Sequence, residues 1–142
     1  MNNSSALVVC AAFLGLALWH FYMALTPPSG NSGTVPSVDG RPLFVPSSKA
    51  TLAVGGVLVL FAGLVAATGR IVSVGVPPVV LAWLSYALAA GLLARAVGEF
   101  RVVGFFKRVR GSKFATLDTF VYSPLCLLLA AGVAWVASDN GT

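Results

Sequence analysis

The stretch "FATLDTFVYSPLCLLLAAGVAWV", residues 114–136, decides the fold. Its second half is almost wholly apolar. Its first half carries a carboxylate, Asp118, followed by Tyr122, Pro124 and Cys126, and the residues before it are strongly basic. An uncharged apolar tract of this length belongs in the hydrocarbon of a bilayer, and Asp118 marks where that tract begins.

Composition carries the same message for the whole chain. Of its 142 residues 58% are hydrophobic and 9% charged, whereas a soluble domain has about 25% charged residues. So few charges cannot cover a water-facing surface. The apolar residues are blocked into four runs, at residues 6–25, 51–68, 77–97 and 117–137. Each is about 18–21 residues long, near the ~20 that cross a ~30 Å hydrocarbon core. Backbone groups in lipid must bond internally, so the runs are read as helices. The expected fold is all-α: a four-helix transmembrane bundle forming one membrane domain, residues 1–142, with a long irregular first loop. The first run is read as a mature span. "MNNSS" offers no cationic start for a signal peptide, and "LVVCAA" around Cys10 lacks a lipoprotein pattern.

Charge sets the expected orientation. The formal net charge is +5. Arg95, Arg101, Lys107, Arg108, Arg110 and Lys113 cluster around the third loop, opposed only by Glu99. Arg41, Lys49 and Arg70 balance Asp39, Asp118 and Asp139. Four spans place loops one and three on one side, and the positive-inside tendency makes that side cytoplasmic, with both termini outside. In "GEFRVVGFFKRVRGSKF", residues 98–114, Val102, Phe105, Phe106 and Val109 fall at helical spacing. An interfacial helix is expected there, with Lys107, Arg108, Arg110 and Lys113 on anionic lipid headgroups. This basic, aromatic segment is short and tethered between spans, so no nucleic-acid partner is expected.

Loop one is rich in Pro, Gly and Ser, with a turn expected at Asp39-Gly40 and "LFV", residues 43–45, docking back on the bundle. Pro77 and Pro78 open the third span, where missing N–H groups cost little. Small residues recur at helical spacing: Ala11, Ala12 and Gly15; Gly56, Gly63 and Ala67; Ala87, Gly91, Ala94 and Gly98. Such faces let helices approach closely. They serve packing inside the bundle before association with a second copy or another membrane protein.

The polar residues of the spans gather at the end where loops one and three lie. His20 and Tyr22 close the first span, Arg95 and Glu99 close the third, and Asp118, Tyr122 and Cys126 open the fourth. Arg41 and Arg101 are on the same side. Asp118, Tyr122 and Cys126, spaced i, i+4, i+8, share one helix face. Thr116 is the expected N-cap, and Pro124 the expected site of a kink. Two roles are open to this cluster. It locks the bundle, with Asp118 paired to Arg95 or Arg101, or it holds a ligand. A single histidine and scattered carboxylates give no metal-ligand spacing, and no phosphate loop, nucleophile elbow or thiol redox pair occurs. No cofactor is expected. Cys10 and Cys126 read as small buried hydrophobes.

"WHFY" at residues 19–22, "VPSVDGRPLFVPS" at 35–47, "GFFKRVRGSKFATLD" at 104–118 and "YSPLC" at 122–126 together resemble a domain-of-unknown-function family of small bacterial four-pass membrane proteins. The likeness covers most of the chain, and "YSPLC" after "FA-x-LD" is its most specific part. The family usually has a Trp and a Gly-Gly after the His-aromatic run, where this chain has Met23 and Thr26-Pro27. The resemblance implies a bacterial inner-membrane location and the four-helix fold, and no activity. Three functions follow in order. The first is a structural or accessory membrane subunit. The second is a lipid- or small-molecule-binding or transport protein with a polar pocket at the cytoplasmic end. The third and least favoured is a membrane enzyme using Asp118, Tyr122 and Cys126.

Overall fold

In the computed structural model, which describes residues 3–26 and 33–140, four long apolar helical segments account for most of the chain. These are α1 (Ser4–Leu25), α2 (Ser48–Thr68), α3 (Pro78–Val97) and a fourth span, Lys113–Asn140. The fourth is built in three parts: α4 (Lys113–Leu117), a π-helical turn (Asp118–Tyr122) and α5 (Ser123–Asn140). All four are long and apolar enough to cross a bilayer.

The helices pack as two neighbouring pairs. α1 lies mainly against α2 and α3 mainly against α5, while α2 and α3 meet more sparsely. Phe13, Val65, Val133 and Val136 are fully buried where the pairs join. Phe13 meets the edge of Phe61 with ring centroids 5.8 Å apart, and Cys10 donates its thiol to the Ala62 carbonyl at 3.3 Å. At the loop-two end the hydroxyls of Thr68 and Ser85 lie 2.8 Å apart and tie α2 to α3.

The close helix approaches do not use the small-residue faces expected from spacing. A Cβ on Gly15, Gly56, Gly63 or Gly91 would meet open space. The tight crossings are at Gly55 under Phe21, Gly69 against Ala6, and Gly132, where a Cβ would come 2.8 Å from Val9. Spacing finds a stripe of small residues, but the crossing points depend on how the helices are rotated.

Loop one contains a hairpin of β1 (Ser37–Val38) and β2 (Arg41–Pro42), pairing Ser37 with Pro42 and Val38 with Arg41. Its turn is Asp39-Gly40, both at positive φ (51° and 74°), as a two-residue hairpin turn requires. The "LFV" segment is not buried: Leu43, Phe44 and Val45 are all exposed, and Phe44 faces the ends of α1 and α2 as part of a cavity wall. The chain's departure from the family pattern at Thr26-Pro27 falls partly outside the described residues, which resume at Gly33.

Loop three is irregular from residue 98 to 112, not the interfacial helix expected from spacing. The reason lies in the backbone: Gly98, Phe100 and Gly104 all take positive φ (88°, 65° and 89°), which a right-handed helix excludes. Gly98 ends α3, and the loop then doubles back across it. The Phe105 N–H donates to the Ala96 carbonyl at 2.9 Å. A Cβ on Gly98 would overlap the Val103 carbonyl, and one on Gly104 the Val97 carbonyl. Only glycine permits this backbone crossing.

Candidate functional site

The doubled-back loop places Asp118 at the centre of a closed polar cluster. Ser112, not Thr116, is the N-cap of the fourth span, its hydroxyl accepting from the Ala115 N–H at 3.0 Å. The helix thus begins earlier than its apolar run, and Asp118 lies inside it with no exposed surface. Its Oδ1 accepts from Arg95 Nη2 at 2.9 Å. Its Oδ2 accepts from the Gly104 N–H at 2.6 Å and Lys107 Nζ at 3.1 Å. Lys107 is itself buried, and it also donates to Thr119 Oγ1 at 2.6 Å and the Gly104 carbonyl at 2.9 Å.

The geometry is that of a clasp. Two cations and a backbone N–H surround one carboxylate, and all three ammonium protons of Lys107 have acceptors. A charge in a dry site is tolerated only when paired and hydrogen-bonded in this way. The clasp joins the end of α3, the return of loop three and the start of the fourth span. With both its oxygens engaged, Asp118 has little capacity left for a ligand.

The π turn decides which residues share its face. The Ser123 N–H bonds to the carbonyl of Asp118, five residues back, so Ser123 follows Asp118 inward. Both are fully buried, whereas Tyr122 and Cys126 are only partly so. The i, i+4, i+8 face expected from regular helix geometry is therefore broken, just ahead of Pro124. Ser123 Oγ meets no hydrogen-bonding partner among the described residues. Tyr122 turns toward loop one, where its hydroxyl donates to the Gly33 carbonyl at 3.2 Å and its ring lies 5.7 Å from that of Phe114.

The remaining sequence candidates are spread around the same end. Glu99 is exposed and accepts from the Val102 N–H at 2.8 Å. Arg41 and Arg101 are exposed, and Tyr22 is exposed beside Trp19, ring centroids 5.8 Å apart. Of the four cations expected at lipid headgroups, Arg108, Arg110 and Lys113 are exposed, but Lys107 is not among them because Asp118 holds it inside. Lys107, Gly104, Thr119 and Ser123 are the members that spacing did not single out. A lone carboxylate beside a surplus of cations signals that some donor must reach it, without saying which.

His20 stands apart from the clasp. Its Nδ1 lies 2.8 Å from the Leu16 carbonyl; a carbonyl only accepts, so Nδ1 carries the proton and Nε2 is the nitrogen left for other contacts. The ring lines a cavity of about 300 Å³ between the end of α1, the first turns of α2 and loop one, with Met23, Thr34, Phe44, Thr51 and Val54 among its walls. That volume is at the lower end of the ~300–1,000 Å³ of small-ligand pockets.

The chain matches none of the curated proteins and none of the solved structures. A family model does match residues 13–133, which include α2, α3, part of α1 and of the fourth span, the clasp and His20. The chain belongs to that family, DUF3995, proteins of unknown function.

Proposed function

We propose that this multi-pass membrane protein is a binding protein for a small amphiphile, with its site beneath loop one and the Asp118 clasp as structural support. The observation that carries this reading is the cavity lined by His20, which combines an imidazole nitrogen without a hydrogen-bond partner among the described residues with apolar walls at the end of two apolar helices. Convergence of a few polar groups on an apolar pocket is the usual form of a ligand site. An enzyme built on Asp118, Tyr122 and Cys126 has less support, because the Asp118 oxygens already accept from Arg95, Lys107 and the Gly104 N–H.

In the same reading the exposed Arg101, Arg108 and Arg110 lie against anionic lipid headgroups, with Phe100 and Phe106 exposed beside them. Loops one and three are then cytoplasmic, as the distribution of Lys and Arg favours, and the membrane is a bacterial inner membrane, as the family resemblance implies.

The test is to purify the protein from native membranes and identify retained small molecules by mass spectrometry. Val54→Trp fills the cavity from an exposed position. Loss of a retained species with unchanged thermal stability is the expected result, and identical retention by both proteins removes the reading. For the orientation, single cysteines replacing Arg41 and Ser73 in a cysteine-free background should label from opposite sides of intact cells. Labelling of the Arg41 position from outside reverses the orientation.

A further inference from the structure

Two side chains in the cavity beneath loop one have already given their protons to the main chain. We infer that the cavity receives a neutral hydroxyl head, that of a long-chain alcohol or a monoacylglycerol; the inference rests on the binding role proposed above.

His20 on α1 and Thr51 on α2 both line the cavity, and both are half-buried. The proton on His20 Nδ1 goes to the Leu16 carbonyl, 2.8 Å away. No carboxylate is present in the lining to pair an imidazolium, and in the neutral ring with Nδ1 protonated the other nitrogen, Nε2, only accepts. Thr51 is committed in the same way. Its hydroxyl donates its one proton to the Ser47 carbonyl at 3.1 Å, so Oγ1 keeps lone pairs and no donor. Each of two helices thus brings an acceptor whose proton is held by a carbonyl one turn back. Thr34 and Ser48 also line the space; a hydroxyl serves either role, so these two do not discriminate.

Head groups sort against this pair of acceptors. A carboxylate or an ether would set lone pairs against lone pairs. An ammonium has donors, but it would enter a lining without a counter-charge, and an unpaired charge against apolar walls is costly. A hydroxyl supplies the donor and carries no charge.

The other walls match a hydrocarbon chain. Met23, Val35, Phe44 and Val54 line the same space. Both α1 and α2 lead from it along apolar, outward-facing side chains such as Leu18 and Val57. A hydroxyl held at His20 and Thr51 would leave its tail free to follow those helices into the bilayer. A small polyol without a tail would leave the apolar walls wet.

The test uses the full chain in phosphatidylcholine nanodiscs at about pH 8, where imidazole is ordinarily neutral. Four probes share one hexadecyl tail: hexadecanol, hexadecyl methyl ether, palmitate and hexadecylammonium. Binding is read by native mass spectrometry at equal mole fraction in the bilayer. Hexadecanol should bind about tenfold tighter than the ether, the worth of a hydrogen bond whose loss leaves an acceptor unpaired, and tighter than both charged probes. His20→Ala should bring the alcohol-to-ether ratio close to one. Thr51→Val, a change of similar shape on the other helix, should lower it several-fold, so that a folding defect of one variant does not decide the outcome. Val54→Trp should abolish binding of all four. Equal binding of alcohol and ether, tighter binding of either charged probe, or a ratio unmoved by both His20→Ala and Thr51→Val overturns the hydroxyl preference and leaves the amphiphile site standing. No binding of any probe to a protein of normal thermal stability overturns both.

Discussion

Lys107 Nζ lies 3.1 Å from Asp118 Oδ2, and neither side chain has appreciable exposure. The two residues come from different structural contexts, an irregular loop and the start of a span, and their meeting closes that loop over the bundle end. Removing one member strands the other as an uncompensated buried charge, which costs about 3–5 kcal/mol. Lys107→Met should therefore destabilise the purified protein by about that amount in reversible denaturation. Combining it with Asp118→Leu should cost much less than the sum of the two single changes. Additive losses would show that the pair is not coupled.

Ser123→Ala should have the opposite character. Ser123 is fully buried and its hydroxyl has no partner among the described residues, so its removal breaks no hydrogen bond there and relieves an unsatisfied group. Stability should hold or rise by up to about 1 kcal/mol. A clear loss in the same denaturation assay would reveal a bond that the hydroxyl makes in the membrane.

Tyr122→Phe tests the tie between the fourth span and loop one. Among the described residues the bond lost is that to the Gly33 carbonyl, a contribution of about 1 kcal/mol. The change should appear locally, as faster hydrogen–deuterium exchange in loop one, with exchange inside α2 and α3 unaltered. Unchanged exchange in loop one means that the hydroxyl does not restrain it.

Two glycines of loop three separate conformation from crowding. Gly104 and Gly111 both have positive φ (89° and 94°), but only Gly104 has backbone where a Cβ would go. Gly111→Ala should cost about 1–2 kcal/mol, the penalty of the left-handed region. Gly104→Ala should cost clearly more, because the Val97–Gly98 crossing must open and Gly104 must give up its bond to Asp118. Equal costs would mean that the loop does not cross α3 so closely in solution.

The spans were legible because length and hydropathy alone set them, and Pro78 at the first position of α3 was legible from proline's missing N–H. The earlier start of the fourth span had a signal in Ser112, a good N-cap followed by Lys113, but the lysine hid it among the loop's cations. Loop three was misread because apolar spacing at Val102, Phe105, Phe106 and Val109 says nothing of Gly98, Phe100 and Gly104 leaving helical backbone space. Asp118's need for cationic partners could be read, and Arg95 was one of two candidates. Lys107 could not be chosen, because a residue eleven positions away through an irregular loop has no spacing rule. The cavity at His20 needed the fold of loop one, which composition described only as irregular.

The pairing of α1 with α2 and of α3 with α5 has a consequence for how the chain is made. Each pair is a stretch of consecutive sequence, so the amino-terminal half can form its contacts, Cys10 with Ala62 and Phe13 with Phe61, while the rest is still being synthesised. The second half then arrives as a unit whose buried carboxylate can be neutralised by its own residues, Arg95 and Lys107. No cation has to be borrowed from the first half, so the fourth span's charge is provided for before the two halves meet.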